Sequence, residues 1–341
     1  MDNEKILNYD MMDLKEVKIN FNYASIFYTN GDNVYLFNVH KPIIRFNLAT
    51  KEEEPIGKIG CGPGEYDFPS SISELNGNIY IVDTPSKRLL KFEHDGKFIE
   101  EISGIKANKI KFLNESLMVM DNPTLFENYF TTFDLKNKKE IKKFGKMIEY
   151  PIRKYRERLN NDGIMGIYQF LWDAMDSILV FYDYYNDNIL LYNIFSGEII
   201  KKFGRRHKNW AIPKVFLFEG DKYHPKSWDV SFLPCYNILI SNKYIFVILE
   251  KVWKYHWYMR NISEKKWRKI ETNNFYFVDI YKRDDFSYVG TLYPLNDFIW
   301  KDNKRWSLRW NNSVSGDSIL NFYLDNKDGD IQKISIKWIN N

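Results

Sequence analysis

One five-residue pattern returns along the chain, and its spacing limits the architectures that this sequence can form. Three copies end in glycine and a fourth ends in serine: Ile56–Gly60, Ile141–Gly145, Ile200–Gly204 and Ile99–Ser103. In chain order the copies end 43, 42 and 59 residues apart. Repeats of about 40 to 50 residues are typical of four-stranded blades, so the spacing predicts a β-propeller.

A two-strand unit precedes each copy of this pattern. The units begin at Asn33, Asn78, Ser116 and Ser177, and each contains an apolar run, a polar turn and an alternating apolar run. Consecutive hairpins have this pattern. Aromatic residues make up 17% of the chain, and aromatic side chains favour strands. The sequence therefore predicts an all-β chain, and an open β-meander is the alternative to a closed ring.

The second half of the chain supplies the remaining blades. Tyr244–Lys254 and Phe275–Pro294 are predicted to form the two halves of a fifth blade, and the last unit begins at Ser318. That unit lacks an outermost strand, which the N-terminal segment Lys15–Asn22 is predicted to supply, because closing the ring removes exposed edges. We predict a six-bladed β-propeller of four-stranded antiparallel blades in one domain, residues 1–341, with irregular insertions at about 147–165, 206–227 and 251–273.

The second blade carries a motif that resembles a known repeat. Its residues are Gly60-Cys61-Gly62-Pro63-Gly64-Glu65-Tyr66, Pro69, Ile79–Asp83, Arg88-Leu89, Phe92 and Gly96. This pattern resembles the repeat of NHL-type six-bladed propellers, and the chain is similar to uncharacterised six-bladed propellers of Bacteroidetes. The clear match covers about 45 residues, the length of one blade. The resemblance implies a fold and leaves the activity open.

The same glycine-rich stretch invites comparison with a phosphate-binding loop. It has neither the G-x-x-x-x-G-K-[ST] nor the G-x-G-x-x-G pattern, no helical periodicity follows it, and Glu65 would repel an anion. The spacing from Gly60 to Pro69 recurs between Gly204 and Pro213. We therefore interpret the loop as a crossover between blades, in which glycines permit close backbone approach.

Residues with catalytic or metal-binding chemistry do not converge in the sequence. The five histidines are dispersed, Cys61 and Cys235 form no ligand pattern, and neither H-E-x-x-H nor G-x-S-x-G occurs. The preferred hypothesis accordingly contains no catalytic residue, metal or cofactor.

A channel enzyme is the alternative to this hypothesis. Propeller lyases and lactonases, which this fold resembles, hold Ca or Zn in the central channel. The innermost strands are predicted around Asp67–Ile72, Asn108–Phe112, Gly166–Trp172 and Trp228–Leu233. A divalent-cation-dependent lyase or lactonase-like activity, with Ca as one possible ion, would then use Asp67, Asp173 or Asp229.

The most distinctive segment outside the repeat is Lys251–Lys269. Trp253, Tyr255 and Trp257 alternate in it, so they share one face of an extended strand. Such rings either pack between blades or bind a partner. The sequence favours a non-catalytic binding propeller for a protein, peptide or glycan. Its predicted binding residues are Tyr66, Asp67, Trp228, Trp253, Tyr255, Trp257 and Arg260.

Charge gives weak support to a third hypothesis, RNA binding. Basic residues gather in two groups: Lys142, Lys143, Lys146, Arg153, Lys154, Arg156 and Arg158, and Lys201, Lys202, Arg205, Arg206 and Lys208. Acidic residues are interspersed and the net charge is only +4, so a nucleic-acid partner is disfavoured. A monomer is predicted, without a transmembrane segment or a signal peptide in this sequence. The compartment stays open between the cytoplasm and export after removal of a signal.

Overall fold

The computed structural model describes residues 5–18, 25–38, 41–122, 128–146, 172–183, 188–205, 218–219, 222–223, 228–230, 235–252, 255–257, 274–293, 300–301, 304–305, 307–308, 313–325 and 330–339. Within these ranges the chain forms strands and turns and contains no helix. No helix that could span a membrane occurs in these ranges either.

The first strand, β1 (Asn8–Lys18), precedes the first blade. Blade 1 contains β2 (Ser25–Asn30), β3 (Asn33–Asn38), β4 (Lys41–Asn47) and β5 (Glu53–Ile56). Two short strands, β6 (Lys58–Ile59) and β7 (Glu65–Tyr66), pair in parallel in the crossover that follows. Blade 2 contains β8 (Pro69–Leu75), β9 (Asn78–Asp83), β10 (Arg88–Phe92) and β11 (Phe98–Ser103).

The next two blades repeat this order. Blade 3 contains β12 (Ile110–Phe112), β13 (Leu117–Asp121), β14 (Asn128–Asp134) and β15 (Lys139–Lys146). Blade 4 contains β16 (Trp172–Met175), β17 (Ile178–Asp183), β18 (Asn188–Asn193) and β19 (Ile199–Phe203). The short strands β20 (Phe218–Glu219), β21 (Lys222–Tyr223) and β22 (Trp228–Val230) follow.

Blade 5 contains β23 (Cys235–Ile240), β24 (Tyr244–Val252), β26 (Asn274–Lys282) and β27 (Tyr288–Leu292), while β25 (Tyr255–Trp257) leaves the sheet and pairs with β22. The short strands β28 (Trp300–Lys301) and β29 (Lys304–Arg305) lead to blade 6. There β30 (Ser307–Leu308) and β31 (Ser313–Ser315) both pair with β32 (Ile319–Asp325), which pairs with β33 (Asp330–Ile339). The predicted six-bladed, four-stranded antiparallel architecture is confirmed.

The N-terminal strand completes the sixth blade. β1 pairs antiparallel with β33 from Asn8 opposite Ile339 to Lys18 opposite Asp330. Closure by an N-terminal strand therefore occurs as predicted, but the strand begins earlier than the predicted Lys15–Asn22 segment. The chain before β1 also contacts blade 5, because the Leu7 amide donates to the Thr291 carbonyl at 2.9 Å. The N-terminal segment thus joins the last two blades.

The first strand of each blade lies nearest the channel, since β2 contacts β8, β8 contacts β12, β16 contacts β23 and β23 contacts β31. One predicted innermost strand is wrong: the innermost strand of blade 5 is β23, and Trp228–Val230 pairs with β25 instead. The predicted innermost strand of blade 4 began at Gly166, and only its last residue, Trp172, lies among the described residues, at the start of β16.

Connections between strands fall on two faces of the ring. We call the face that holds the turns between the first and second strands the hairpin face. The opposite face holds the turns between the second and third strands and the crossovers between blades, and we call it the crossover face. The strands that flank the predicted insertions at 147–165, 206–227 and 251–273 end on the crossover face, although most of those residues lie outside the described ranges.

Apolar side chains fill the spaces between blades. Ile56 and Leu90 pack with Ile72 between blades 1 and 2, and Val34 packs with Tyr323 between blades 1 and 6. Each such buried side chain contributes about 1.5–3 kcal/mol. On the hairpin face, polar pairs between turns add further links between neighbouring blades: Asn76–Glu115, Asp176–Arg283 and Lys243–Asp317. Asp32, in a turn of blade 1, also pairs with Lys333 of β33.

The repeated pattern in the sequence marks a β-bulge. In five outermost strands the pairing register skips one residue: Met12, Ile99, Ile141, Ile200 and Val289. Ile99, Ile141 and Ile200 open three copies of the sequence repeat, whereas Ile56, which opens the remaining copy, pairs with Ile43 without a register shift. A bulge twists an edge strand and hinders its pairing with another chain. In blades 2, 3 and 4 the repeat therefore marks a bulge that protects the outer edge.

Candidate binding face

A buried carboxylate fixes the turn that leads into the innermost strand of blade 2. Asp83, at the end of β9, accepts hydrogen bonds from the backbone amides of Asp67 and Phe68, both at 3.3 Å. Arg88 pairs with the same carboxylate at 3.3 Å. The motif's Asp and Arg thus hold the chain at the crossover face, which is a structural role.

Arg88 also anchors the glycine-rich crossover. Its guanidinium donates to the Glu65 carbonyl at 3.0 Å and to the carbonyls of Cys61 and Gly62 at 3.4 and 3.3 Å. The Glu65 carboxylate accepts from the Gly62 amide at 2.9 Å. A Cβ on Gly60 would lie 2.2 Å from that carboxylate, so glycine is required there. Gly60 and Gly62 thus make room for the Glu65 side chain, and its carboxylate, not a phosphate, binds the Gly62 amide.

Tyr66 is buried within this crossover. Its hydroxyl donates to the Ile56 carbonyl at 2.6 Å and accepts from the Ile43 amide at 2.6 Å. Both hydrogen-bonding roles of the hydroxyl are therefore taken by the fold, and burial raises the pKa of Tyr66. Its predicted contact with a ligand stays a prediction, and this placement gives it a role in joining β7 to blade 1.

Asp67 and Phe68 are the exposed residues of the same turn. The Phe68 side chain is 51% exposed, and its ring meets the Phe37 ring edge-to-face at a centroid distance of 5.8 Å. Sequence reasoning named Asp67 and missed Phe68. The signal was present, because Phe68 is the last residue before Pro69, where the innermost strand begins.

In blade 3 a buried aspartate again binds two amides of the turn into the innermost strand, an arrangement that we call the clamp, but the exposed residues differ. Asp121, at the end of β13, accepts from the amides of Asn108 and Lys109 at 2.7 and 2.8 Å. The Lys109 ammonium lies 4.9 Å from the centre of the Trp172 ring and donates to the Trp172 carbonyl. Lys109, the residue equivalent to Phe68, therefore joins blade 3 to blade 4. Burial raises the pKa of Asp121 from 3.8 to about 6.

This shift predicts a pH dependence that Asp121→Asn removes. A carboxyl with a folded pKa above its unfolded value contributes stability that is fully present below pH 3.8 and is lost as pH rises through about 6. Relative to the variant, the natural protein should gain about 2 kcal/mol of unfolding free energy between pH 7.5 and pH 4. Urea unfolding of both proteins at the two pH values measures this, and a constant difference would contradict it.

The channel carries a polar belt formed by several innermost strands. Tyr28, Ser73 and Asp173 each occupy the third pair from their hairpin turn, in blades 1, 2 and 4. The Tyr28 hydroxyl hydrogen-bonds the Ser73 side chain, and burial followed by the negative charge of Glu74 raises the pKa of Tyr28. The more distant charge of Asp173 acts in the same direction. Tyr28 and Ser73 were not identified from the sequence.

Asp173 joins three blades across this belt. One carboxylate oxygen pairs with the Lys111 ammonium at 3.0 Å and accepts from the Ala174 amide at 2.9 Å. The other accepts from the Ile240 amide at 3.0 Å. A cation at Asp173 would have to displace these donors.

The three aspartates of the metal hypothesis occupy different surroundings. Asp67 is exposed on the crossover face, Asp173 is buried in the channel belt, and Asp229 lies on β22. Among the residues that the structure describes, no group of three or more His, Cys, Asp or Glu side chains could hold a metal ion.

The predicted aromatic segment forms part of a two-stranded ribbon. β22 and β25 pair antiparallel, with Trp228 opposite Trp257 and Val230 opposite Tyr255. Three of the predicted binding residues, from two segments separated in sequence, are therefore neighbours in one ribbon. Trp253 and Arg260 lie outside the described residues.

Several residues of the predicted basic groups serve as links between blades. Lys142 donates to the Phe195 carbonyl at 3.3 Å, and Lys201 donates to the Asp285 carbonyl at 2.7 Å. Arg205 pairs with the buried Asp279 at 3.1 Å. Lys146 lies on β15, and the other basic residues beyond it in the first group, together with Arg206 and Lys208, fall outside the described ranges.

The fold agrees with a family comparison. A family model for DUF5128, described as a 6-bladed beta-propeller, matches residues 45–215, half of the chain. The chain belongs to the DUF5128 family. No curated protein matches it. The assignment of this chain's repeat to the NHL type stays a prediction.

Two solved structures share the fold of this DUF5128 protein over nearly its full length. One is a Bacteroides fragilis protein described as a candidate exported protein, with 14% identity, a TM-score of 0.58, and coverage of 95% of this chain and 94% of the other. The second is a DUF4221 family member from Bacteroides vulgatus, with 11% identity, a TM-score of 0.58 and 99% coverage of both chains. At these identities the likeness shows the fold alone.

Proposed function

We propose that this DUF5128 propeller is a non-catalytic binding protein whose crossover face receives a protein, peptide or glycan partner. The rigid ring supports that face through buried clamps such as Asp83–Arg88. Functional residues are often carried by loops on a rigid frame. The exposed Asp67 and Phe68 lie on this face, next to an innermost strand.

The pairing of β22 with β25 is the observation that carries the proposal. It brings Trp228 opposite Trp257, although the two residues come from different connections of blade 5. Antiparallel neighbours act as a unit, and large aromatic side chains bind partners with little loss of conformational entropy. A ribbon of this composition is a suitable recognition element.

The channel-enzyme alternative has less support. Its central residue, Asp173, already accepts hydrogen bonds or an ion pair from Lys111, Ala174 and Ile240. RNA binding is also less well supported, because Lys142, Lys201 and Arg205 contact other blades.

Glycan and peptide arrays probed with the full chain test the proposal. For any ligand found, the double variant Trp228→Ala, Trp257→Ala is expected to weaken binding about tenfold or more, as loss of aromatic anchors does in other interfaces. Phe195→Ala is the matched control, because Phe195 is an exposed ring on a turn of the hairpin face. Unchanged affinity of the double variant, or the absence of any ligand on both arrays, would overturn the proposal.

A further inference from the structure

The exposed apolar side chains of the described residues are concentrated away from the channel, with one exception. Most lie on outermost strands, on the N-terminal segment, in the first crossover or on a hairpin turn: Ile6, Met11, Met12, Ile59, Ile99, Ile141, Phe195, Ile199 and Ile200. Phe68 alone directly precedes an innermost strand. Phe68 does not lie at the outer rim of the ring, so a rim position does not explain why its side chain is exposed.

The turn that carries Phe68 is fixed before any ligand arrives. Both amides of the Asp67–Phe68 pair are bound by Asp83, whose side chain is itself held by Arg88. Pro69 restricts the backbone immediately after the turn. The Phe68 ring meets the ring of Phe37, which is partly buried against the core between blades 1 and 2, in an edge-to-face contact. A ring and a carboxylate are thus presented with little entropy left to lose on binding.

The charge of the turn is unbalanced. Asp67 is exposed, and no ion-pair partner lies within 4.0 Å of its carboxylate among the described residues. Blade 3 differs at the equivalent positions, where Asn108 replaces the acid and Lys109 packs over Trp172. Of these two blades, blade 2 is therefore the one whose turn carries an acidic residue followed by an aromatic residue.

We infer that the Asp67–Phe68 turn binds a basic side chain, arginine or lysine, of a peptide or protein partner. An aromatic face attracts a cation through its quadrupole, and an adjacent carboxylate pairs with the same charge. Each contact alone is weak at an exposed site. Together the two contacts should make a positively charged side chain bind more tightly than a neutral one of the same shape. This inference rests on the proposed binding role of the crossover face and names the partner as a basic polypeptide segment.

Ligand-observed saturation-transfer NMR with the full chain tests the inference directly. The probes are the tripeptides acetyl-Gly-Arg-Gly-amide and acetyl-Gly-citrulline-Gly-amide, which have nearly the same shape and differ in charge. We expect the arginine peptide to bind about fivefold more tightly. Asp67→Asn and Phe68→Leu should each remove most of this preference, whereas Phe68→Tyr, which keeps the aromatic face, should retain it.

Matched variants on the hairpin face serve as controls. Asp95→Asn and Phe195→Ala alter an exposed acid and an exposed ring away from the turn, and both should leave the preference unchanged. Equal binding of the two tripeptides, or an unchanged preference in Asp67→Asn, would overturn the inference. A sugar that binds only when Asp67 and Phe68 are intact, without the arginine preference, would also overturn it.

Failure of the inference and failure of the proposed function give different results. A partner whose binding depends on Trp228 and Trp257, but which is unaffected by Asp67→Asn, would overturn the inference and leave the proposed function standing. If neither array yields a ligand, the proposed function fails, and the tripeptide measurement still shows whether the turn distinguishes charge.

Discussion

Arg88→Ala is expected to lower the free energy of unfolding by about 3–5 kcal/mol, because it leaves a buried carboxylate without its counter-ion. The Asp83 side chain is 0% exposed and would keep only the two backbone amides of the turn as partners. The variant also loses the hydrogen bond to the Glu65 carbonyl at 3.0 Å. Both the crossover and the turn into β8 would lose their anchor.

Urea unfolding followed by far-ultraviolet circular dichroism measures this loss. Lys97→Ala is the control, since Lys97 forms an exposed pair with Glu93 and its side chain is 72% exposed; less than about 0.5 kcal/mol is expected. Arg88→Lys keeps the charge but cannot reach several carbonyls at once, so it should fall between the two. A loss for Arg88→Ala no larger than the control would show that the ion pair is not needed for folding.

The sequence identified the architecture because its signals are local and repeated. The opening isoleucines of three copies of the pattern mark bulges in the outermost strands of blades 2, 3 and 4. Asp83 and Arg88 were recognised as motif residues for the same reason. Asp83, Arg88 and the crossover that they hold lie close together in sequence, so a single copy of the motif includes all of these residues.

The site was harder to predict because it depends on pairings between distant segments. Trp228 was placed on an innermost strand, since its local pattern does not distinguish pairing with β24 from pairing with β25. The channel belt likewise combines Tyr28, Lys111 and Asp173 from three blades. Nothing in the sequence distinguishes Tyr66 from an exposed aromatic residue. The fold shows that its hydroxyl is hydrogen-bonded to the Ile56 carbonyl.

Leu7→Ala is expected to destabilise the protein by about 2–5 kcal/mol, because it creates a cavity where the N-terminal segment meets blade 5. Leu7 is 6% exposed and packs against Gly290, whereas the neighbouring Ile6 is 68% exposed. Ile6→Ala should therefore change stability by less than about 0.5 kcal/mol. Similar losses for the two variants in urea unfolding would contradict a buried contact between Leu7 and blade 5.

Gly290 allows the same contact to be tested from its other side. A Cβ at this position would lie 2.5 Å from the Leu7 Cγ atom, so Gly290→Ala overpacks the junction and should cost about 1–3 kcal/mol. In Leu7→Ala, Gly290→Ala the new methyl group occupies space that the shortened side chain leaves. The loss of unfolding free energy in the double variant should then be about 1–2 kcal/mol smaller than the sum of the losses in the two single variants. Strict additivity in a double-mutant cycle would mean that Leu7 and Gly290 do not interact.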